Sequence, residues 1–99
     1  MNREEKLKMA SILIEKKCNE IKEMLIEKNE SYGGAVFNPV KIFSDCDKYE
    51  QVNVRIDDKL SRIIKGDNYG GDNDVKDLTG YLILKLVVED LKEREGEDE

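Results

Sequence analysis

The chain contains no histidine. That removes the commonest general base and the commonest metal ligand, and with them any Ser–His or Cys–His nucleophile. A metal site here has to be built from oxygen ligands, which points to Mg²⁺, Mn²⁺ or Ca²⁺ rather than zinc. Cysteine is scarce. Cys18 and Cys46 have no metal-binding spacing and read as two ordinary thiols of a reduced intracellular protein. No apolar run is long enough to span a bilayer and no signal peptide is recognisable, so the expected setting is the cytoplasm, with no membrane partner. A basic excess is missing too. Lys and Arg number 17 against 23 Asp and Glu, a net charge of −6. This argues against duplex nucleic acid as a partner, because displacing counterions from phosphates needs a basic face.

What is present is helical pattern. Hydrophobic residues make up 38% of the 99 positions and charged residues 40%. The apolar residues fall in periodic segments, which predicts an all-α fold with a thin core. The boundaries expected are a single helical domain over 1–92 and a solvated acidic tail over 93–99. From Asn2 to about Lys28, Leu7, Ala10, Ile14, Cys18, Ile21 and Leu25 recur at steps of three and four, with no Pro or Gly between them. Pro39, with Asn38 as its cap, suits a short helix to about Ser44. A break at 44–47 follows, with Asp45 or Asp47 capping the next segment. Lys48 to Lys65 carries Val52, Ile56, Leu60 and Ile63 on one face and stops at Gly66. After a loop over 66–71, Asp72 or Asn73 can cap the last helix, which runs to about Arg94. Its apolar residues form two adjoining stripes, too wide an arc for one thin protomer to cover. That predicts a homo-oligomer, with a dimer the first expectation.

The residues that can carry chemistry lie on the last two helices. Asp74 and Asp77 are three apart and share a face. Asp58 flanks the apolar stripe of the preceding helix. Two antiparallel helices joined by a short loop bring Asp58 near Asp77, so that Asp58, Asp74 and Asp77 can converge on one Mg²⁺ or Mn²⁺, with Asp58 and Asp77 as catalytic candidates. The bland alternative is that Asp72 and Asp74 cap a helix and Asp57 is solvated. Lys41, Arg55, Lys59 and Arg62 form the basic set. The last three follow i, i+4, i+7 beside Asp58, a stripe suited to phosphate oxygens or to surface salt bridges. Tyr32 and Phe37 in the first loop can stack on a base or plug the end of the bundle, and Asn38 can read a base edge. The Gly33-Gly34 pair lacks the Gly-Lys-Ser/Thr of a phosphate loop, and the 66–74 segment lacks the spacing of a calcium loop.

The order of these signals is Glu27-Lys-Asn-Glu-Ser-Tyr-Gly-Gly, then Arg55-Ile-Asp-Asp-Lys-Leu-Ser-Arg-Ile63, then Asp74-Val-Lys-Asp-Leu-Thr-Gly-Tyr-Leu-Ile-Leu84. Over about Lys22 to Val88 it resembles the phage and bacterial family called nucleotide modification associated domain 1. That family is similar to the all-α MazG-like nucleotide pyrophosphohydrolases. The resemblance implies an antiparallel helical bundle and a bacterial or phage-infected host cell. It also implies Mg²⁺-dependent hydrolysis of a nucleoside triphosphate, with Tyr32, Asn38, Arg55, Lys59, Arg62 and Tyr81 meeting the nucleotide. MazG-like chains are similar in an E-x-x-E pair followed by an E-x-x-D pair. Asp74 and Asp77 match the second pair, and Asp58 the second member of the first, but Arg55 stands where the first Glu is expected. Glu27 is the acidic residue able to complete that set. Three functions therefore stand side by side: a pyrophosphohydrolase, a non-catalytic protein that sequesters a nucleotide or a nucleotide immune signal, and a helical adaptor for another protein.

Overall fold

The computed structural model of the chain describes residues 1–31, 47, 49–66 and 73–97. Within them every regular element is a helix: α1 (Arg3–Ser31), α2 (Glu50–Lys65) and α3 (Asp74–Glu97). The all-α expectation holds. The short helix expected over Pro39–Ser44 lies outside the described residues.

α1 and α3 start at a side-chain cap, whereas at α2 the N-cap residue Tyr49 makes no side-chain cap bond. Asn2 and Glu5 satisfy one another at the head of α1, where Glu5 N–H donates to Asn2 Oδ1 at 2.8 Å and Asn2 Nδ2 donates to Glu5 Oε1 at 3.0 Å. The Asn2 side chain thereby satisfies one backbone donor, the Glu5 N–H, that has no partner inside the helix, and the side-chain bond to Glu5 holds the cap in place. Before α2, Asp47 Oδ1 accepts the Tyr49 N–H at 2.8 Å. Before α3, Asn73 Oδ1 accepts the Lys76 N–H at 3.0 Å. Of the two caps the sequence allowed there, Asn73 makes the bond and Asp72 lies outside the described residues. Gly66 ends α2 at φ 71°, a left-handed conformation that costs glycine nothing, and its N–H donates to the Arg62 and Ile63 carbonyls.

α2 and α3 form an antiparallel hairpin. Tyr49, just before α2, and Val52 and Ile56 within it are buried with Val88 of α3, and Leu78, Tyr81 and Leu84 pack against them. Polar contacts fasten the hairpin along its length. At the open end the Tyr49 hydroxyl donates to Glu95, and Lys92 Nζ lies 5.4 Å from the Tyr49 ring centroid. Further along, Lys85 Nζ donates to Asn53 Oδ1. The acidic end of the chain is thus not merely a solvated tail. α3 continues to Glu97, and Glu95 is part of the hairpin. The predicted stripe on α2 outruns the core, since Val52 and Ile56 are buried while Leu60 and Ile63 are exposed.

α1 runs alongside α3 in the same direction, and Gly80 is the point of approach. A Cβ placed there would meet Leu25 Cδ2 at 3.4 Å and Met24 Cε at 3.5 Å. Only the second half of α1 is partly covered, and every residue as far as Asn19 is exposed. The Cα radius of gyration is accordingly 16.8 Å, against about 13 Å for a compact domain of about 100 residues. Among the described residues no helix is long and apolar enough to cross a membrane.

Candidate functional site

The hairpin brings Lys59 and Arg62 of α2 opposite the first turn of α3. Antiparallel pairing sets the last two turns of α2 against the start of α3, where the unpaired N–H groups favour carboxylates. Lys59 Nζ lies 3.3 Å from Asp77 Oδ2 and 4.0 Å from Asp74 Oδ1. Arg62 Nη1 lies 3.9 Å from the same Asp74 oxygen, and Arg62 Nε lies 3.9 Å from Asp58 Oδ2. The charges therefore alternate in one chain across the two helices: Asp77, Lys59, Asp74, Arg62, Asp58. Among the described residues this chain holds three carboxylates and two cations.

Burial grades along it. Asp74 is 9% exposed and the Lys59 side chain 14%, whereas the Asp58 side chain is 49% exposed. Asp74 Oδ1 is buried and makes no hydrogen bond among the described residues, its two cationic neighbours standing at ion-pair rather than hydrogen-bond distance. A buried carboxylate oxygen without a donor is a costly arrangement, and it gives the site an unfilled acceptor facing the gap between the helices.

Beside this chain of charges a cleft of about 240 Å³ opens between α1 and the hairpin. Lys59, Asp77 and Tyr81 line it from the hairpin side, and Lys28 and Asn29 from the end of α1. Met24, Leu25 and Leu84 give it apolar walls. Gly80 lies in its wall, where a Cβ would sit at ordinary contact distance from Leu25 and Met24 and a bulky side chain would fill the space where α1 comes closest.

The residues nominated from sequence divide accordingly. Lys59, Asp77 and Tyr81 meet in the cleft. Asp74 and Arg62 stand behind Lys59. Asp58 is tied to Arg62 at the margin, and among the described residues no three carboxylates or thiols come together as a metal-holding group. Arg55 and Asp57 are exposed on α2, and Glu27 is exposed on α1; none of the three lines the cleft. Tyr32, Asn38, Phe37, Lys41 and Asp72 lie outside the described residues. Sequence reasoning missed Lys28, Asn29 and Gly80. The first two follow Glu27 in the quoted motif, but their facing depends on where α1 lies. Gly80 carried a readable signal, a lone glycine inside a strongly periodic helix, which commonly marks close packing.

Comparison of the chain with protein-family models, with curated proteins and with solved structures returned no match.

Proposed function

We propose that the chain is a MazG-like helical bundle, completed by a second copy, that binds a nucleotide in the cleft between α1 and the α2–α3 hairpin. The observation that carries this reading is the meeting of Lys59, Asp77 and Tyr81 with Lys28 and Asn29 in one cleft built from three helices. Two ammonium groups suit phosphate oxygens. A phenol ring among Met24, Leu25 and Leu84 suits the face of a base, and the Asn29 amide can bond a base edge or a ribose hydroxyl. The cleft is smaller than the roughly 300–1,000 Å³ of most ligand sites, so it takes part of a nucleotide, with the rest along its open side.

The reading includes a hard divalent cation. Asp74 Oδ1 is buried without a donor, and the chain of charges carries one more carboxylate than cations among the described residues. Asp74 and Asp77 would hold Mg²⁺ or Mn²⁺, with Asp58 as a third oxygen donor once released from Arg62. Bound there, the ion would neutralise phosphate charge and orient water for cleavage of the α–β phosphoanhydride, giving monophosphate and pyrophosphate. Lys59 and Arg62 would steady the phosphate oxygens, Lys59 giving up part of its pairing with Asp77 to do so. The apolar walls would hold the base away from water.

A second reading, sequestration without turnover, is favoured by two features. Lys59 stands between the two carboxylates that would share the metal, and exposed Arg55 takes the position of the first acidic ligand. A protein built this way would bind the nucleotide and release it intact.

Titration calorimetry with the common and modified deoxynucleoside triphosphates, in Mg²⁺ or Mn²⁺, tests binding. Chromatography of the mixture then separates the two readings. The expected result is saturable binding that Lys59→Met and Asp77→Asn each weaken by about tenfold or more, the loss of one charge-assisted contact. Monophosphate and pyrophosphate that disappear with Asp77→Asn would establish hydrolysis; ligand recovered intact would establish sequestration. Absence of binding to every nucleotide would sink both.

A further inference from the structure

The charges at the closed end of the hairpin are matched to one another within the chain itself. Lys59 is shared by Asp77 and Asp74, and Arg62 by Asp74 and Asp58, with every pair at 4.0 Å or less. Among the described residues, three negative and two positive groups leave this set a net charge of −1. A divalent ion added to the set as it stands overshoots that charge. The same ion meets −3 once the two cations have turned to another partner. The carboxylates therefore attract a metal strongly only when Lys59 and Arg62 have somewhere else to go.

Position sharpens the conflict. Lys59 Nζ lies 3.3 Å from Asp77 Oδ2 and 4.0 Å from Asp74 Oδ1, the two side chains proposed to share the ion. A hard cation of the Mg²⁺ type sits about 2.1 Å from a carboxylate oxygen, so an ion on either oxygen would stand only a few ångströms from the ammonium. That is well inside the roughly 8–10 Å over which salt screens exposed charges. Burial weakens screening by water as well, since the side chains of Lys59 and Asp74 are 14% and 9% exposed. Lys59 has a second direction open to it. It lines the cleft together with Lys28 and Asn29, so a phosphate group there can take its ammonium while α2 stays in place. Asp74 Oδ1, buried and without a hydrogen bond among the described residues, is then left to a metal.

We infer that Lys59 bars a divalent cation from Asp74 and Asp77 until a polyphosphate in the cleft draws its ammonium away. Metal and nucleotide then enter as a pair, and metal alone is excluded. This deepens the nucleotide reading and rests on it. Lys59 acts in opposite directions on two ligands, helping to hold the phosphates and hindering the metal. A residue that only supported the fold would weaken both when replaced.

Electron paramagnetic resonance of Mn²⁺ titrated into the full chain, with no nucleotide present, tests it. Wild type is expected to bind Mn²⁺ alone weakly. Lys59→Met is expected to tighten that binding by about tenfold or more, within the roughly 5–150-fold usual for coupled sites, while weakening nucleotide binding. Lys59→Gln keeps a hydrogen-bond donor for Asp77 and should show the same gain, which guards against poor folding of the Met variant; circular dichroism checks both. Adding Asp77→Asn to Lys59→Gln should abolish the gain. An α,β-methylene deoxynucleoside triphosphate should tighten Mn²⁺ by a larger factor in wild type than in Lys59→Gln. Chelation of Mn²⁺ by the nucleotide in solution is common to both proteins and cancels. Mn²⁺ affinity that is equal in wild type and the Lys59 variants, or lower in the variants, overturns the inference. So does a gain that survives Asp77→Asn. Those outcomes with nucleotide binding intact sink this inference alone, whereas the absence of nucleotide binding to wild type sinks the reading beneath it.

Discussion

Lys59 on α2 reaches across the hairpin to Asp77 on α3, Nζ to Oδ2 at 3.3 Å, and in doing so also lies within ion-pair distance of the buried Asp74. This contact is both a clasp and part of the proposed binding site. Removing the ammonium leaves two carboxylates at a helix start with less compensation, one of them buried. Lys59→Met is therefore expected to cost about 2 kcal/mol, near the middle of the range for stranding a buried polar partner. The double variant Lys59→Met with Asp77→Asn should cost less than the sum of the two single changes. Urea unfolding followed by circular dichroism measures this; additive losses would mean that the pair is not coupled.

Gly80 separates packing from propensity. A methyl group there meets Leu25 and Met24 at ordinary contact distances. Gly80→Ala should then raise stability by about 0.5–1 kcal/mol through helix propensity alone. Gly80→Phe should push α1 away, close the cleft, and lose about 1–3 kcal/mol by overpacking. Nucleotide binding that survives Gly80→Phe unchanged would place the ligand elsewhere.

The Tyr49 hydroxyl and Glu95 hold the open end of the hairpin together. Tyr49→Phe removes the donor and keeps the buried ring, so a loss of about 1–2 kcal/mol is expected. Hydrogen exchange should report it locally, with faster exchange in the last turns of α3 and little change near Asp74. Uniform acceleration would contradict a local clasp.

The helix ends give a fourth stability test. Asn73→Ala removes the α3 cap and should cost about 1 kcal/mol, while Asn73→Asp retains it. No loss in the alanine variant would transfer the cap to Asp72. Gly66→Ala forces a Cβ into a φ of 71° and should cost about 1–2 kcal/mol. Both changes leave the cleft residues alone and so should not alter ligand affinity.

Much of this architecture was legible from residue order. A step of three and four without Pro or Gly marked the first helix, although it continues past Lys28 through Asn29, Glu30 and Ser31, helix ends being less sharply marked than helix interiors. Gly66 marked a stop, and Asp74 and Asp77 were set on one face by their spacing. The site was legible in half. Lys59 and Asp77 meet, whereas Arg55, on the same basic stripe, is exposed and lies outside the cleft. Spacing along one helix says which residues share a face, and it does not say which part of that face another helix will cover.

By itself the sequence determined that the chain is helical, where α2 and α3 begin and end to within a few residues, and that histidine chemistry is closed to it. These follow from local properties: hydrophobic period, capping side chains, a left-handed glycine and the residue types present. Tertiary structure alone decided that Lys59 stands between Asp74 and Asp77, that Glu95 belongs to the hairpin, and that Gly80 admits α1 closely enough for Lys28 and Asn29 to reach the cleft. Those relationships join residues far apart in the chain, and they are set by which apolar faces bury one another, something no local pattern specifies.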